Sequence, residues 1–245
     1  MTWRIHNLVP LYKRNFVADP SNYRGIHITS ILSKVAEHVI GAPLLNYFEK
    51  HNCFGKQQWA YRKSRSSRDL VTLLVCSWLF AFMRDRCIGA FFGDISGAFD
   101  RVFKPFLLQR LASLGVGEPY LQFLSSFLSR RFGYVCVNGE KSHAMTLEDQ
   151  VFQGTVLGPP LWNIFFSTIV QAFVDPSCAK AFADDLNLFH EYSRHEDGDV
   201  ILHDLHNSQT RTHAWGKKYR VEFDPAKESF NILHPHRGEG RDFKL

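Results

Sequence analysis

Cysteine is scarce in this chain and poorly placed for cross-linking. The five cysteines, Cys53, Cys76, Cys87, Cys136 and Cys178, are scattered, odd in number and form no C-x-x-C pair. Neither a disulfide framework nor a zinc site is indicated. Histidine is more plentiful, but His203, His206, His234 and His236 have no cysteine or acidic partner that would complete a ligand set. Long apolar runs are also missing. None approaches the ~18 residues of a membrane span, and the opening Met1-Thr2-Trp3-Arg4-Ile5-His6 lacks the apolar centre of a signal peptide. The expectation is an intracellular, non-secreted chain with no membrane partner, the nucleus being a plausible compartment. There is no internal repeat and no low-complexity linker. With 245 residues, 45% of them hydrophobic and 22% charged, the chain has material for one large or two small domains with a packed core.

Acidic residues are rare at the front. Residues 1–68 hold eleven Lys/Arg against three Asp/Glu, whereas residues 69–245 hold eighteen against twenty-one. A basic front suits a polyanionic partner, and a mildly acidic remainder suits bound cations. The most informative acids are adjacent. In Ala181-Phe182-Ala183-Asp184-Asp185-Leu186-Asn187-Leu188-Phe189, two aspartates lie between apolar runs, which predicts two strands meeting at an acidic turn. Like charges held together beside an apolar sheet repel and resist desolvation, and a divalent cation would offset that cost.

A second acidic site precedes it. Ile88 to Gly93 is short, apolar and predicted to be a buried strand that delivers Asp94 at its end. If this strand neighbours the Asp184-Asp185 hairpin in an antiparallel sheet, the three carboxylates converge. That arrangement suits two Mg²⁺ ions, with Mn²⁺ as a substitute, each held by one or two carboxylates and by substrate phosphate oxygens.

Other elements follow from period and punctuation. Asn7 to Arg14 predicts a strand. The i, i+3, i+4 apolar pattern from Thr29 predicts an amphipathic helix to about Lys50, broken near Gly41-Ala42-Pro43. Gln57 to Asp69 places aromatic residues before Arg62, Lys63, Arg65 and Arg68, a loop able to grip a nucleic-acid backbone and stack on bases. Ser66 or Ser67 would cap the next helix, to about Phe82. Helices are expected over Lys104–Leu114 and Glu118–Arg131, then a strand to Val137 and a hairpin at Asn138-Gly139. Gln153-Gly154-Thr155-Val156-Leu157-Gly158-Pro159 permits close backbone approach to a ligand and leads into a helix over Leu161–Phe173. A polar helix over Asp197–Lys217 and a strand over Ser229–Leu233 complete the set. Asp100 and Asp149 read as structural or salt-bridged, and Trp215 as core.

In this order the segments resemble the reverse transcriptases of non-LTR, LINE-type retrotransposons, over nearly the whole chain. Phe92-Gly93-Asp94-Ile95-Ser96-Gly97-Ala98-Phe99-Asp100 is similar to the first palm motif of that family, Gln153 to Pro159 to the second, and Phe182-Ala183-Asp184-Asp185 to the Tyr/Phe-x-Asp-Asp box. The resemblance implies that Asp94, Asp184, Asp185 and the Ile95 carbonyl bind metal. It also implies that Phe99 is the steric gate against a ribose 2′-hydroxyl, and that Gln153 and Gly154 position nucleotide and template. Lys227 matches a lysine that helps protonate pyrophosphate. Lys13 and Arg24 look like triphosphate contacts, and Gln58-Trp59-Ala60-Tyr61-Arg62 like the template-contacting loop.

The expected fold is therefore α+β: fingers over residues 1–85 and an antiparallel palm sheet backed by helices over 86–245. Phe243-Lys244-Leu245 looks like the opening of a primer grip, so the thumb is expected to be absent. The implied function is RNA-directed DNA synthesis from dNTPs on an RNA template with a DNA primer. Gly25 stands where the family has proline, which loosens the fingers turn without removing a cation. Two alternatives have different chemistry. An RNA-dependent RNA polymerase shares the palm but is opposed by Phe99. An inactive nucleic-acid-binding remnant fits a missing thumb but is opposed by the intact aspartates.

Overall fold

A computed structural model describes residues 4–148, 150–235 and 241–244. Asp149, His236 and Leu245 lie outside the described residues. The chain forms two compact units, each built from two stretches: residues 1–53 with 99–165, and residues 54–98 with 166–245. Among the described residues no helix is long and apolar enough to cross a membrane.

The first unit is built on β1 (Ile5–Tyr12), which pairs antiparallel with β2 (Tyr23–Ile28) and parallel with β4 (Arg131–Val137). The short strands β5 (Glu140–Lys141) and β6 (Met145–Leu147) both return onto β4. Asn138-Gly139 makes the β4–β5 turn with positive φ at both residues, +50° and +85°, as a two-residue hairpin requires. Among the described residues, four α-helices belong to the unit: α1 (Ile31–Lys50), α3 (Lys104–Ser113), α4 (Glu118–Phe127) and α5 (Gly158–Phe166). Two helices end earlier than their apolar pattern suggests. Arg131, placed at a helix end by the sequence, opens β4, and beyond Phe166 the chain tightens into a 3₁₀ turn over Ser167–Ala172.

In α1 the sequence reading needs two corrections. Ser30 caps its start by accepting from Ser33 N, but the helix runs unbroken through Pro43. The carbonyl deprived of its donor belongs to Val39, which is 69% exposed, so water can serve it. The buried stripe is Ser33, Glu37, Gly41, Leu44 and Phe48, while Ile31, Leu32, Val35 and Val39 face outward. Glu37 is buried because it has work there: Oε2 accepts from Val156 N at 2.8 Å and Leu157 N at 3.2 Å. Burial still raises its pKa against those two bonds.

Beneath α4 lies a buried basic cluster. The Arg131 guanidinium donates from Nε and Nη2 to the Phe127 carbonyl and lies over the Phe127 and Phe152 rings. Its Nη1 is 3.3 Å from His6 Nε2, and His6 Nδ1 is 3.1 Å from His27 Nδ1. Guanidinium only donates, so His6 Nε2 accepts, His6 carries its proton on Nδ1, and His27 Nδ1 accepts in turn. Both rings are neutral. Burial foremost, then the Arg131 charge, lowers His6 to about 3 and His27 to about 4, with His27 a further contributor at His6.

The second unit is organised on β3 (Arg86–Gly93), the centre of a sheet ordered β10-β9-β3-β8-β7, with β7 (Ala179–Phe182), β8 (Asp185–Ser193), β9 (Ser229–Leu233) and β10 (Arg241–Lys244). Residues of β3 alternate between faces. Ile88 and Ala90 pack with Ala81, Trp78 and Phe82 of α2 (Ser67–Met83). At Gly89 a Cβ would come 2.7 Å from Ile201, so glycine lets α6 (Gly198–Tyr219) lie close on the opposite face. Helix α2 starts in a full capping box: Asp69 N bonds Ser66 Oγ, and Asp69 Oδ2 accepts from Ser66 N. Trp215 is 5% exposed and its Nε1 donates to Thr168 Oγ1 at 3.1 Å.

Candidate active site

The antiparallel pairing of β3 with β8 decides the site. Its last register pair is Gly93 with Leu186, so Asp94 follows one strand end just where Asp185 begins the other. The β7–β8 hairpin pairs Phe182 with Asp185, leaving Ala183 and Asp184 as its two-residue tip, with Ala183 at φ +58°. Asp185 lies close enough to Asp94 and Asp184 for their charges to act on its carboxyl group. Asp185 keeps an exposed surface, yet its pKa is pushed up to about 6. Loss of hydration at the carboxyl group acts first, then the charges of Asp184 and Asp94, against the pull of Lys227.

A third strand end supplies the cation. Ser96 N donates to Glu222 O and Asp224 N to Asp94 O, each at 2.9 Å, around the bridge between Ile95 and Phe223. In that pattern the Ile95 carbonyl points away from the Phe223 segment. The turn after Asp224 brings Lys227 Nζ onto Asp94 Oδ2, with Asp224 Oδ2 at 3.2 Å. The bond to Asp94 is the main reason the Lys227 pKa is raised. A cleft of about 610 Å³ opens beside these groups, with Leu74, Trp78, Phe92 and Phe182 on its walls and Asp94, Asp185 and Lys227 at its polar end.

The donor set fits a hard divalent cation. Among the described residues no three His, Cys, Asp or Glu side chains are gathered into a ready-made cage. The neighbouring carboxylates of Asp94, Asp184 and Asp185, whose charges act on one another, are nevertheless the oxygen donors Mg²⁺ uses when substrate oxygens and water complete its shell, and Lys227 is the cation now balancing Asp94.

Arg62, Lys63 and Arg65 follow the Gln57–Trp59 segment. Arg62 Nη1 donates to Gly55 O at 2.6 Å. Arg65 Nη1 donates to the Lys56 and Gln58 carbonyls at 3.0 Å and its guanidinium lies over the Trp59 ring. These two groups fasten their own loop, while Lys63 is exposed.

The remaining expected site residues belong to the first unit. Lys13 and Arg24 lie on the two arms of the β1–β2 hairpin, where Lys13 N donates to Asn22 O and Leu11 pairs with Arg24. Both act on Asp100, together with Arg101; desolvation raises the Asp100 pKa against these three charges. Phe99 is 9% exposed and stacks on Trp162 at 5.9 Å. Gln153 O accepts from His27 N at 2.8 Å. Gly154 has φ +103°, and a Cβ there would come 2.8 Å from His27 O. Gly154→Ala is therefore expected to cost about 1–3 kcal/mol, lowering the thermal midpoint by about 2–4 °C per kcal/mol. Differential scanning calorimetry checks this, and an unchanged midpoint would mean the turn tolerates a side chain.

Sequence reasoning missed one residue that the geometry brings to the acid pair. Gln58 was grouped with the template-facing loop, but it is 2% exposed and its amide reaches Ala183. No local signal marks it, because its partner is 125 residues away.

The family described as "Reverse transcriptase (RNA-dependent DNA polymerase)" matches residues 12–236. Among curated proteins, the chain is 28% identical over 232 residues to the probable RNA-directed DNA polymerase from transposon BS of Drosophila melanogaster, covering 92% of this chain and 25% of that protein. It is 31% identical over 167 residues to the RNA-directed DNA polymerase from mobile element jockey of the same species, covering 67% and 18%. The chain thus spans about a quarter or less of the length of these relatives. Among solved structures, apo telomerase from Candida tropicalis superposes with a TM-score of 0.66 at 11% identity, covering 96% of this chain and 45% of that one. Telomerase from Candida albicans in complex with a fragment of telomeric RNA gives 0.64 at 12%, covering 94% and 42%. The fold is the α+β polymerase architecture expected from the sequence.

Proposed function

Because the chain belongs to the reverse transcriptase family, we propose that it is the part of a retrotransposon protein that extends a DNA primer on an RNA template. The observation that supports this most is the β3–β8 register, which sets Asp94 against Asp185 with Asp184 at the adjoining tip. Two Mg²⁺ ions, replaceable by Mn²⁺, would be held by Asp94, Asp184, Asp185 and the Ile95 carbonyl and would supply the charge that activates the primer 3′-hydroxyl and stabilises the leaving pyrophosphate.

The chain's own groups do the rest. Lys227 holds its proton at Nζ beside Asp94 and gives it to the departing pyrophosphate. Lys13 and Arg24 meet the triphosphate, Gln153 and Gly154 orient nucleotide and template, and Phe99 closes the space a ribose 2′-hydroxyl would need. Lys63 meets template phosphates, with Arg62 and Arg65 shaping its loop and adding positive charge. In these terms residues 1–85 act as fingers and 86–245 as palm, inside the cell and away from any membrane.

Primer extension on an RNA template with deoxynucleotides and Mg²⁺ tests the proposal. The expected result is DNA product that requires the metal. Product made only from ribonucleotides would favour RNA synthesis. Binding of primer–template that weakens steeply with salt, without any extension, would favour an inactive nucleic-acid-binding remnant.

A further inference from the structure

Between the basic loop and the acid pair lies a buried amide with every polar atom committed. Gln58 Oε1 accepts from the backbone N–H groups of Trp59, Ala60 and Ala183, each at 3.0 Å, and Nε2 donates to the Ala183 carbonyl at 3.1 Å. Its backbone neighbours run alongside β7: Trp59 N donates to Ala181 O and Ala181 N to Gln57 O, both at 2.9 Å, in a parallel bridge. The segment therefore covers what would be the open edge of the sheet, and the side chain reaches past that edge to the hairpin tip.

Ala183 is the residue that needs holding. It stands immediately before Asp184, is 7% exposed, and adopts φ +58°, a left-handed conformation that a residue with a Cβ adopts only at a cost. Both of its backbone polar groups are tied to one amide. Whether Asp184 and Asp185 leave the tip in a direction that lets them share a cation depends on this single backbone conformation, since a change at Ala183 swings Asp184 directly.

We propose that Gln58 is a positioning residue for the acid pair: its amide clamps Ala183 in the left-handed conformation and so sets the geometry in which Asp184 and Asp185 take up divalent cations. This rests on the cation reading of the site, and it assigns to the basic loop a task besides meeting nucleic acid.

Two measurements on the full chain decide it. The first is hydrogen exchange at the Ala183 amide, which in the unaltered protein is expected to be as slow as in the middle of β8; exchange at the rate of an open turn would overturn the clamp without any variant. Gln58→Ala, or Gln58→Met to keep the volume filled, should speed that amide about ten-fold or more while the β3 amides stay protected. The second is binding of Mn²⁺ alone, followed by loss of the free-ion electron paramagnetic resonance signal well below the unfolding temperature. There the same variants should weaken binding about ten-fold. Adding Ala183→Gly, which takes the left-handed conformation without a Cβ penalty, should restore much of that affinity. A structural role alone would lower the thermal midpoint without moving the Mn²⁺ affinity or answering to Ala183→Gly. Normal Mn²⁺ binding in the unaltered chain with the same affinity in Gln58→Ala would sink this inference alone. An unaltered chain that binds no Mn²⁺ would sink the cation reading, and this inference with it.

Discussion

Asp185→Asn is expected to slow RNA-templated primer extension by at least about a thousand-fold, since a cation-binding carboxylate contributes several kcal/mol to phosphoryl transfer and each 1.36 kcal/mol is tenfold in rate. The substitution is nearly isosteric and Asp185 is exposed, so the hairpin and sheet should survive it. What changes is charge. Asp185 is already burdened by its surroundings, with a pKa pushed up to about 6 by desolvation and by the charges of Asp184 and Asp94. Asparagine makes permanent the neutral state that those neighbours favour and removes an oxygen ligand that a cation would keep ionised. Single-turnover extension by the two proteins, matched for folding by circular dichroism, measures the loss. A variant that keeps a tenth or more of the rate would take Asp185 out of the reaction.

A second large effect is expected from acid, and it arises in the first unit. His6 and His27 are 1% and 2% exposed, neutral, and held at about 3 and about 4 in the folded chain, against about 6.5 when unfolded. Each pKa is depressed, so below pH 6.5 the unfolded chain binds the extra proton first. Stability is fully present above about pH 6.5 and is lost as the pH falls toward the folded values. Linkage gives about 1.4 kcal/mol per pH unit for each histidine, so roughly 2.7 kcal/mol per unit for the pair between about pH 6 and 4. A domain whose whole stability is about 5–15 kcal/mol cannot absorb much of that.

The groups facing the pair adjust the slope without reversing it. Arg131, lowered only to about 10, stays charged throughout. Glu37, whose pKa is raised by burial, binds its proton more readily folded than unfolded and partly offsets the loss near the acid end. Urea unfolding at intervals from pH 7 to 4.5 checks the prediction, with His6→Asn and His27→Asn each removing about half of the slope. A slope that neither variant changes would place the acid sensitivity elsewhere.

What could be read from the sequence was mostly local. The acidic hairpin, the buried strand before Asp94, the Ser66 cap and the Asn138-Gly139 turn each depend on a handful of adjacent residues, and each is where the pattern put it. The span and cap of α1 match the pattern, but its buried face does not, because that face is chosen by Val156 and Leu157, whose N–H groups need Glu37 from more than a hundred residues away. Apolar periodicity cannot register a carboxylate buried for its hydrogen bonds. Strand β2 went unseen because Tyr23-Arg24-Gly25-Ile26-His27-Ile28 does not alternate cleanly and contains glycine. Within the site, the aspartates stood out by adjacency and spacing. Gln58 did not, since a glutamine beside arginines reads as loop surface until its partner at Ala183 is known.

The interleaving of the two units has a consequence for how the protein is made. Strand β1 pairs with β4, Ile5 opposite Phe132, and β3 pairs with β9, Phe92 opposite Ser229. During synthesis, therefore, the first hairpin emerges long before its parallel neighbour exists, and the central strand of the second sheet waits for nearly the whole remainder of the chain. No single nick at a unit boundary leaves both units whole: a break after residue 53 or 165 divides one of them, and a break after 98 divides both. A gene cut after residue 98 should therefore yield two pieces that regain structure only when mixed, whereas a cut after 53 or 165 leaves one unit whole in one of the pieces.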